Sequence, residues 1–141
     1  MKPPPPAAMP QGNFAVAFRL RVLLVDDEIR FCRLLKAALE QTGRYVVETE
    51  NRPTHALQKA LEFRPQVVLM DVMMPEMDGG ELAALFKANP RLGATPIVFL
   101  TAAVKRAELS AHSGEVGGCR FLAKPVALHE VMACLDQYGS S

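Results

Sequence analysis

Gln66-Val67-Val68-Leu69-Met70-Asp71 decides how this chain is read. Its central apolar run is that of a strand covered on both faces, and it ends on a carboxylate. Three other stretches share the pattern. Arg21-Val22-Leu23-Leu24-Val25 runs into Asp26-Asp27, Pro96-Ile97-Val98-Phe99-Leu100 into Thr101, and Cys119-Arg120-Phe121-Leu122-Ala123 into Lys124-Pro125. In a parallel α/β sheet, ligands bind outside the carboxyl ends of the strands, where the strand order reverses. Three carboxylates, a hydroxyl and an ammonium are therefore expected at one sheet edge, a suitable site for a divalent cation and a phosphoryl group.

Working outward, strand and helix alternate from Arg21 onward. Glu28 to Gln41 reads as a helix, with Cys32, Leu35 and Leu39 on one face, Phe31, Leu34 and Ala38 beside it, and Thr42-Gly43 as its stop. Tyr45 to Thr49 is a second strand, and Arg52-Pro53-Thr54 opens a second helix carrying Leu57, Ala60 and Leu61. Asp78-Gly79-Gly80 turns the chain into a third helix with Leu82, Leu85 and Phe86 facing inward. A short polar fourth helix over Lys105 to His112 leads through a loose loop at Gly114, Gly117 and Gly118 to the fifth strand. Ala127 to Tyr138 closes the domain, with Leu128, Val131, Met132 and Leu135 at helical spacing. Five strands alternating with five helices predict an α/β fold with helices on both faces of a five-stranded parallel sheet. The flavodoxin-like order 2-1-3-4-5 suits this (βα)5 pattern, the order being borrowed from that arrangement.

The 141 residues suggest one domain over residues 21–138, with a Pro-rich tail at 1–20 and a C-terminal tail at 139–141. Pro3 to Pro6 favour extended polyproline conformations. The chain is 50% apolar, enough for a core, and its 16 basic and 15 acidic residues nearly cancel, with no basic stripe to suggest nucleic-acid binding. The apolar stretch Phe14 to Val25 is interrupted by Arg19 and Arg21 and is too short to span a bilayer, so no membrane association is expected. Cys32, Cys119 and Cys134 are odd in number and scattered, reading as free thiols of a cytoplasmic protein.

Each candidate residue also has a bland reading. Asp26-Asp27-Glu28 can simply cap a helix and favour its dipole, while as a cation site it supplies the oxygen ligands that magnesium takes. Asp71 can be a turn residue, yet beside strand one its carboxylate faces Asp26 and Asp27 and can attack phosphorus to form an acyl phosphate. Thr101 and Lys124 are each commonplace alone; together at this edge they can hydrogen-bond and neutralise a phosphoryl group. Pro125 restricts the backbone after Lys124 and admits a cis peptide.

The set resembles the receiver domain of two-component response regulators, from about Leu20 to Tyr138. The spacing conforms as well: 44 residues separate Asp27 from Asp71, 30 separate Asp71 from Thr101, and 23 separate Thr101 from Lys124. The resemblance implies Asp71 as phosphoacceptor; Asp27, Asp71 and the Met73 carbonyl as direct ligands of Mg2+ (or Mn2+), with Asp26 acting through water; Thr101 as switch hydroxyl; Lys124 as the phosphoryl contact; and Phe121 as the rotating aromatic, often Tyr in relatives. It further implies a single-domain, chemotaxis-regulator-like protein in a phosphorelay. Its phosphoryl donor would be a sensor histidine kinase or phosphotransfer protein, and an unidentified downstream protein would receive the signal by contact. Such a protein is not an enzyme beyond its own phosphorylation and slow dephosphorylation.

Two features depart from the family pattern. Ser113 to Cys119 is rich in glycine. Met73 and Ala103 stand where many relatives carry polar groups that handle the attacking water, so a long-lived phosphorylated form is expected. A phosphatase of the haloacid-dehalogenase kind would want a second Asp where Met73 stands. A degenerate receiver would lack part of the acid, Thr and Lys set.

Overall fold

Val22, Leu23, Leu24 and Val25 are all fully buried, which requires apolar cover on both faces of their strand. The computed structural model describes residues 19–102, 115–116 and 119–139. Within them the chain forms β1 (Leu20–Val25), α1 (Ile29–Gln41), β2 (Tyr45–Glu50), α2 (Pro53–Phe63), β3 (Val67–Asp71), α3 (Gly79–Ala88), β4 (Ile97–Ala102), β5 (Glu115–Val116), β6 (Cys119–Lys124) and α4 (Leu128–Gly139). The five long strands pair in parallel in the order β2-β1-β3-β4-β6. This is the expected 2-1-3-4-5 arrangement of the flavodoxin-like fold.

Strand alternation divides the interior into two cores. Val22, Leu24, Val67, Leu69, Val98 and Leu100 face α1 and α4, meeting Cys32, Leu35, Leu39, Val131, Cys134 and Leu135. The intervening residues Leu23, Val25, Val68, Met70, Ile97 and Phe99 face α2 and α3, meeting Ala56, Ala60, Leu82, Ala83 and Phe86. One sheet thus organises both layers, and its register positions the ends of all its strands.

The structure corrects several details. β1 begins at Leu20, which is buried, one residue before the strand read from sequence. Leu85 was expected to face inward and is 45% exposed; Ala83 takes the buried position, because the α3 surface against the sheet needs small residues as well as Leu82 and Phe86. Leu128, at the first turn of α4, lies at the rim and is exposed. Part of the expected loose loop is ordered: Glu115–Val116 pairs antiparallel with Cys119–Arg120, adding a sixth, two-residue strand at the sheet edge. The fourth helix expected over Lys105 to His112, Ala103, Gly114, Gly117, Gly118 and most of both tails lie outside the described residues.

Local signals set the element boundaries. α1 gives way to Gly43 at φ +80°, a conformation glycine adopts freely. Pro53 opens α2, where its missing N–H costs no helical hydrogen bond. Asp78 and Glu81 form a reciprocal capping box at α3, the Glu81 N–H donating to Asp78 Oδ1 at 2.8 Å.

Gly79, at the start of α3, lies against the end of β3. Its N–H donates to the Val72 carbonyl at 2.7 Å, and a Cβ there would stand 2.5 Å from the Asp71 carbonyl oxygen. At Gly80 the nearest atom to a Cβ would be Asp78 Oδ1, at 3.4 Å. Gly79→Ala should therefore destabilise the fold by about 1–3 kcal/mol, the usual cost of overpacking. Gly80→Ala should change stability by less than about 1 kcal/mol and in the favourable direction, since it sits in a helix. Chemical denaturation of the two variants is the check; equal losses would show that the Gly79 contact does not matter.

Candidate functional site

The register brings the predicted residues to one edge. Val25 pairs with Met70, which puts Asp26 level with Asp71. Asp71 pairs with Leu100, Thr101 with Ala123, and Ala102 with Lys124. Carboxylate oxygens of Asp26, Asp27 and Asp71 all lie within 4.8 Å of one another. A cavity of about 630 Å³ opens over them, lined by Asp27, Asp71, Met73 and Lys124, and also by Glu28 and Phe31.

These groups differ in solvent access. Asp26 is fully buried; its Oδ1 accepts from the Glu28 N–H at 2.9 Å, as a carboxylate should where the chain leaves β1 for α1. Asp71 is 6% exposed, whereas Asp27 is half-buried and faces the cavity. Lys124 Nζ lies 2.7 Å from Asp26 Oδ2, 3.0 Å from Glu28 Oε1 and 3.8 Å from Asp71 Oδ1. It also stands over the Phe31 ring, 4.6 Å from the centroid. The Lys124–Pro125 peptide is cis.

Burial and crowding shape the protonation behaviour. Asp71 is pushed up to about 6, first by burial and then by the Asp26 carboxylate, with the Lys124 ammonium and the Met73 N–H pulling the other way. Asp26 is also raised by burial, against the pull of Lys124. Burial disfavours the Lys124 charge, but its hydrogen bonds to Asp26 and Glu28 outweigh this and hold it above its ordinary value. Cys32, beneath the site, is driven up to about 12 by burial and then by the Asp26 charge, so its thiol is inert.

Thr101 is buried, and among the described residues its Oγ1 has no hydrogen-bond partner. An orphaned buried hydroxyl is costly, and an oxygen-rich ligand at this edge would relieve it. Phe121 is half-buried and stacks on Phe99 with centroids 5.6 Å apart. By strand alternation Thr101 shares a sheet face with Phe99.

The donor set fits a hard divalent cation: carboxylate oxygens at short mutual range, open to a cavity roomy enough for waters and phosphate oxygens. Sequence reasoning missed Glu28 and Phe31 as partners of Lys124. Glu28 was legible only as a helix-start acid and Phe31 only as a core-side residue, since a contact between α1 and β6 leaves no mark in local spacing.

The sequence profile of the response regulator receiver domain matches residues 22–136. This chain belongs to that family. Its sequence is 37% identical to the transcriptional regulatory protein ResD of Bacillus subtilis over 113 residues, covering 79% of this chain and 45% of ResD. It is 33% identical over 108 residues to the protein-glutamate methylesterase/protein-glutamine glutaminase of Archaeoglobus fulgidus, covering 75% of this chain and 30% of that protein. The chain thus spans less than half the length of these two relatives.

Among solved structures it resembles the chemotaxis protein CheY4 of Vibrio cholerae, with a TM-score of 0.70 and 31% identity, covering 85% of this chain and 98% of that one. It also resembles the receiver domain of a signal transduction histidine kinase from Syntrophus aciditrophicus, with a TM-score of 0.71 and 28% identity, covering 85% and 89%. Receiver domains are signalling domains that bind magnesium through an acidic pocket and interact with histidine kinases or phosphotransfer proteins. Among the described residues of this receiver domain, no helix is long and apolar enough to cross a membrane.

Proposed function

We propose that this receiver domain accepts a phosphoryl group on Asp71 from a sensor histidine kinase or phosphotransfer protein and passes the signal on by protein contact. The observation that carries this reading is the nearly buried Asp71 carboxylate beside two further carboxylates and an ammonium, at the floor of an open cavity. An Asp71 oxygen forms the new P–O bond while the P–N bond to the donor histidine breaks, its electron pair returning to the imidazole. Lys124 neutralises charge on the phosphoryl oxygens, and the Thr101 hydroxyl finds in one of them the acceptor it lacks. A divalent cation held by Asp27, Asp71 and the Met73 carbonyl, with Asp26 acting through water, would supply further neutralisation. Incubation with phosphoramidate, a small donor with the same P–N bond, tests the reading. One phosphoryl adduct that requires magnesium is expected; none, or one indifferent to chelation, would overturn it.

Asp27 faces the cavity, whereas Asp26 is buried and paired with Lys124. Magnesium affinity should therefore fall by about tenfold or more in Asp27→Ala, as for loss of a direct carboxylate ligand, and less in Asp26→Ala. Calorimetric titration of both variants decides it, an equal or reversed loss counting against the assignment.

The signal is proposed to run from Thr101 to Phe121, with added charge at Asp71 drawing the hydroxyl inward and freeing the ring to follow. Sharing a face with the stacked Phe99–Phe121 pair supports this coupling. Thr101→Ala should still take up the phosphoryl group but show a much reduced chemical-shift change at Phe121 on adding beryllofluoride. A full response would remove Thr101 from the switch.

A further inference from the structure

The opposite edge of the sheet holds a second cavity, of about 370 Å³. Arg21, Arg64 and Arg91 line it together with Thr95, Leu92 and Pro65, and among the described residues no carboxylate does. Four other basic side chains outside the acidic site have acidic partners: Arg44 with Asp136, Lys36 with Glu40, Lys59 with Glu48 and Arg52 with Glu76. Among the described residues no acidic side chain pairs with any of these three arginines. The three arginines are exposed, so solvent screens part of their mutual repulsion, and an anion in the concavity would relieve the rest.

Two further observations set this place apart. Arg64 adopts the left-handed conformation at the end of α2, at φ +57° and ψ +63°. Glycine is the usual residue there, any other residue costs free energy, and the following Pro65 restricts the backbone further. Backbone strain of this kind concentrates at ligand sites. In addition, Arg21 Nε donates to the Arg64 carbonyl at 2.8 Å. One nitrogen of that guanidinium is thus spent on fixing its direction, leaving a pre-oriented pair of terminal nitrogens suited to bidentate recognition of phosphate or carboxylate. Part of the arrangement also serves the α2 C-terminus, where cations are favoured, while Arg91 reaches the cavity from the segment after α3.

We propose that this cavity binds a compact polyanion, bearing phosphate or carboxylate groups, through Arg21, Arg64 and Arg91, at a site separate from the phosphoryl-accepting edge. The test follows the arginine Nε–Hε resonances during titration with sodium pyrophosphate and, in a second arm, trisodium citrate, in chelator without magnesium and at constant ionic strength. Saturable shifts on the three arginines with at least one anion are expected, and the two arms distinguish phosphate from carboxylate chemistry.

Arg64→Gly removes the guanidinium while suiting the left-handed backbone, so it should fold at least as well as the parent and bind about tenfold or more weakly, as losing a charge-assisted bond implies. Arg91→Ala should weaken binding similarly, and both variants should accept a phosphoryl group normally. Linear, non-saturating shifts in both arms would overturn the proposal, as would parent-like affinity in both variants.

Discussion

Asp71→Asn is expected to carry no phosphoryl group after incubation with acetyl phosphate and magnesium, under conditions in which the parent forms one labile adduct. The amide nitrogen and oxygen cannot form the acyl phosphate that a carboxylate can. Asp26 is also buried, but it is engaged by Lys124 and the Glu28 N–H. Asp27 is the more open carboxylate and faces the same cavity, so it is the informative rival. Intact-mass measurement followed by borohydride trapping of the acyl phosphate locates the adduct. Labelling of Asp71→Asn at the parent level would reassign the acceptor.

The same substitution should make the protein more stable in chelator at pH 7, by about 2–3 kcal/mol. Asp71 titrates at about 6 in the folded chain, against an ordinary value of 3.8, with burial the leading cause and the Asp26 carboxylate the next. A raised carboxylate pKa means that the folded state binds the proton more tightly than the unfolded state. Stability contributed by this group is therefore lost as pH rises from about 4 to 6, and the full penalty, about 1.4 kcal/mol per pKa unit, applies above that window. Asparagine is spared it. The gap between variant and parent should close below about pH 4, where Asp71 is protonated in both states. Millimolar magnesium should narrow the gap at neutral pH by stabilising the parent preferentially through mass action. Urea unfolding of both proteins at pH 4 and pH 7 provides the measurement. A variant less stable than the parent at pH 7 in chelator would contradict this account of the site.

Legibility in the sequence followed burial. Leu23 and Leu69 announce their strands because a strand covered by helices on both faces is apolar at consecutive positions. The strand-end residues were legible because the topology of a parallel sheet collects them at one edge, so Asp26, Asp71 and Lys124 belong together on sequence grounds alone. Leu85 misled because helical periodicity identifies a face but not how far around the helix burial extends. Glu115–Val116 gave no strand signal, since a two-residue pairing has no period. The contacts of Lys124 with Glu28 and Phe31, and the left-handed backbone at Arg64, depend on tertiary placement and left no local trace.

The contact between Gly79 and the main chain at the end of β3 separates how the proposed acceptor is mounted from what it would do. Asp71 is seated by its strand pairing with Leu100 and by the close approach of a residue that has no side chain. Neither restraint involves a carboxylate, a hydroxyl or an ammonium. The reactive groups can accordingly be exchanged one at a time on an unchanged seat, and differences in chemistry among such variants can be attributed to the group exchanged.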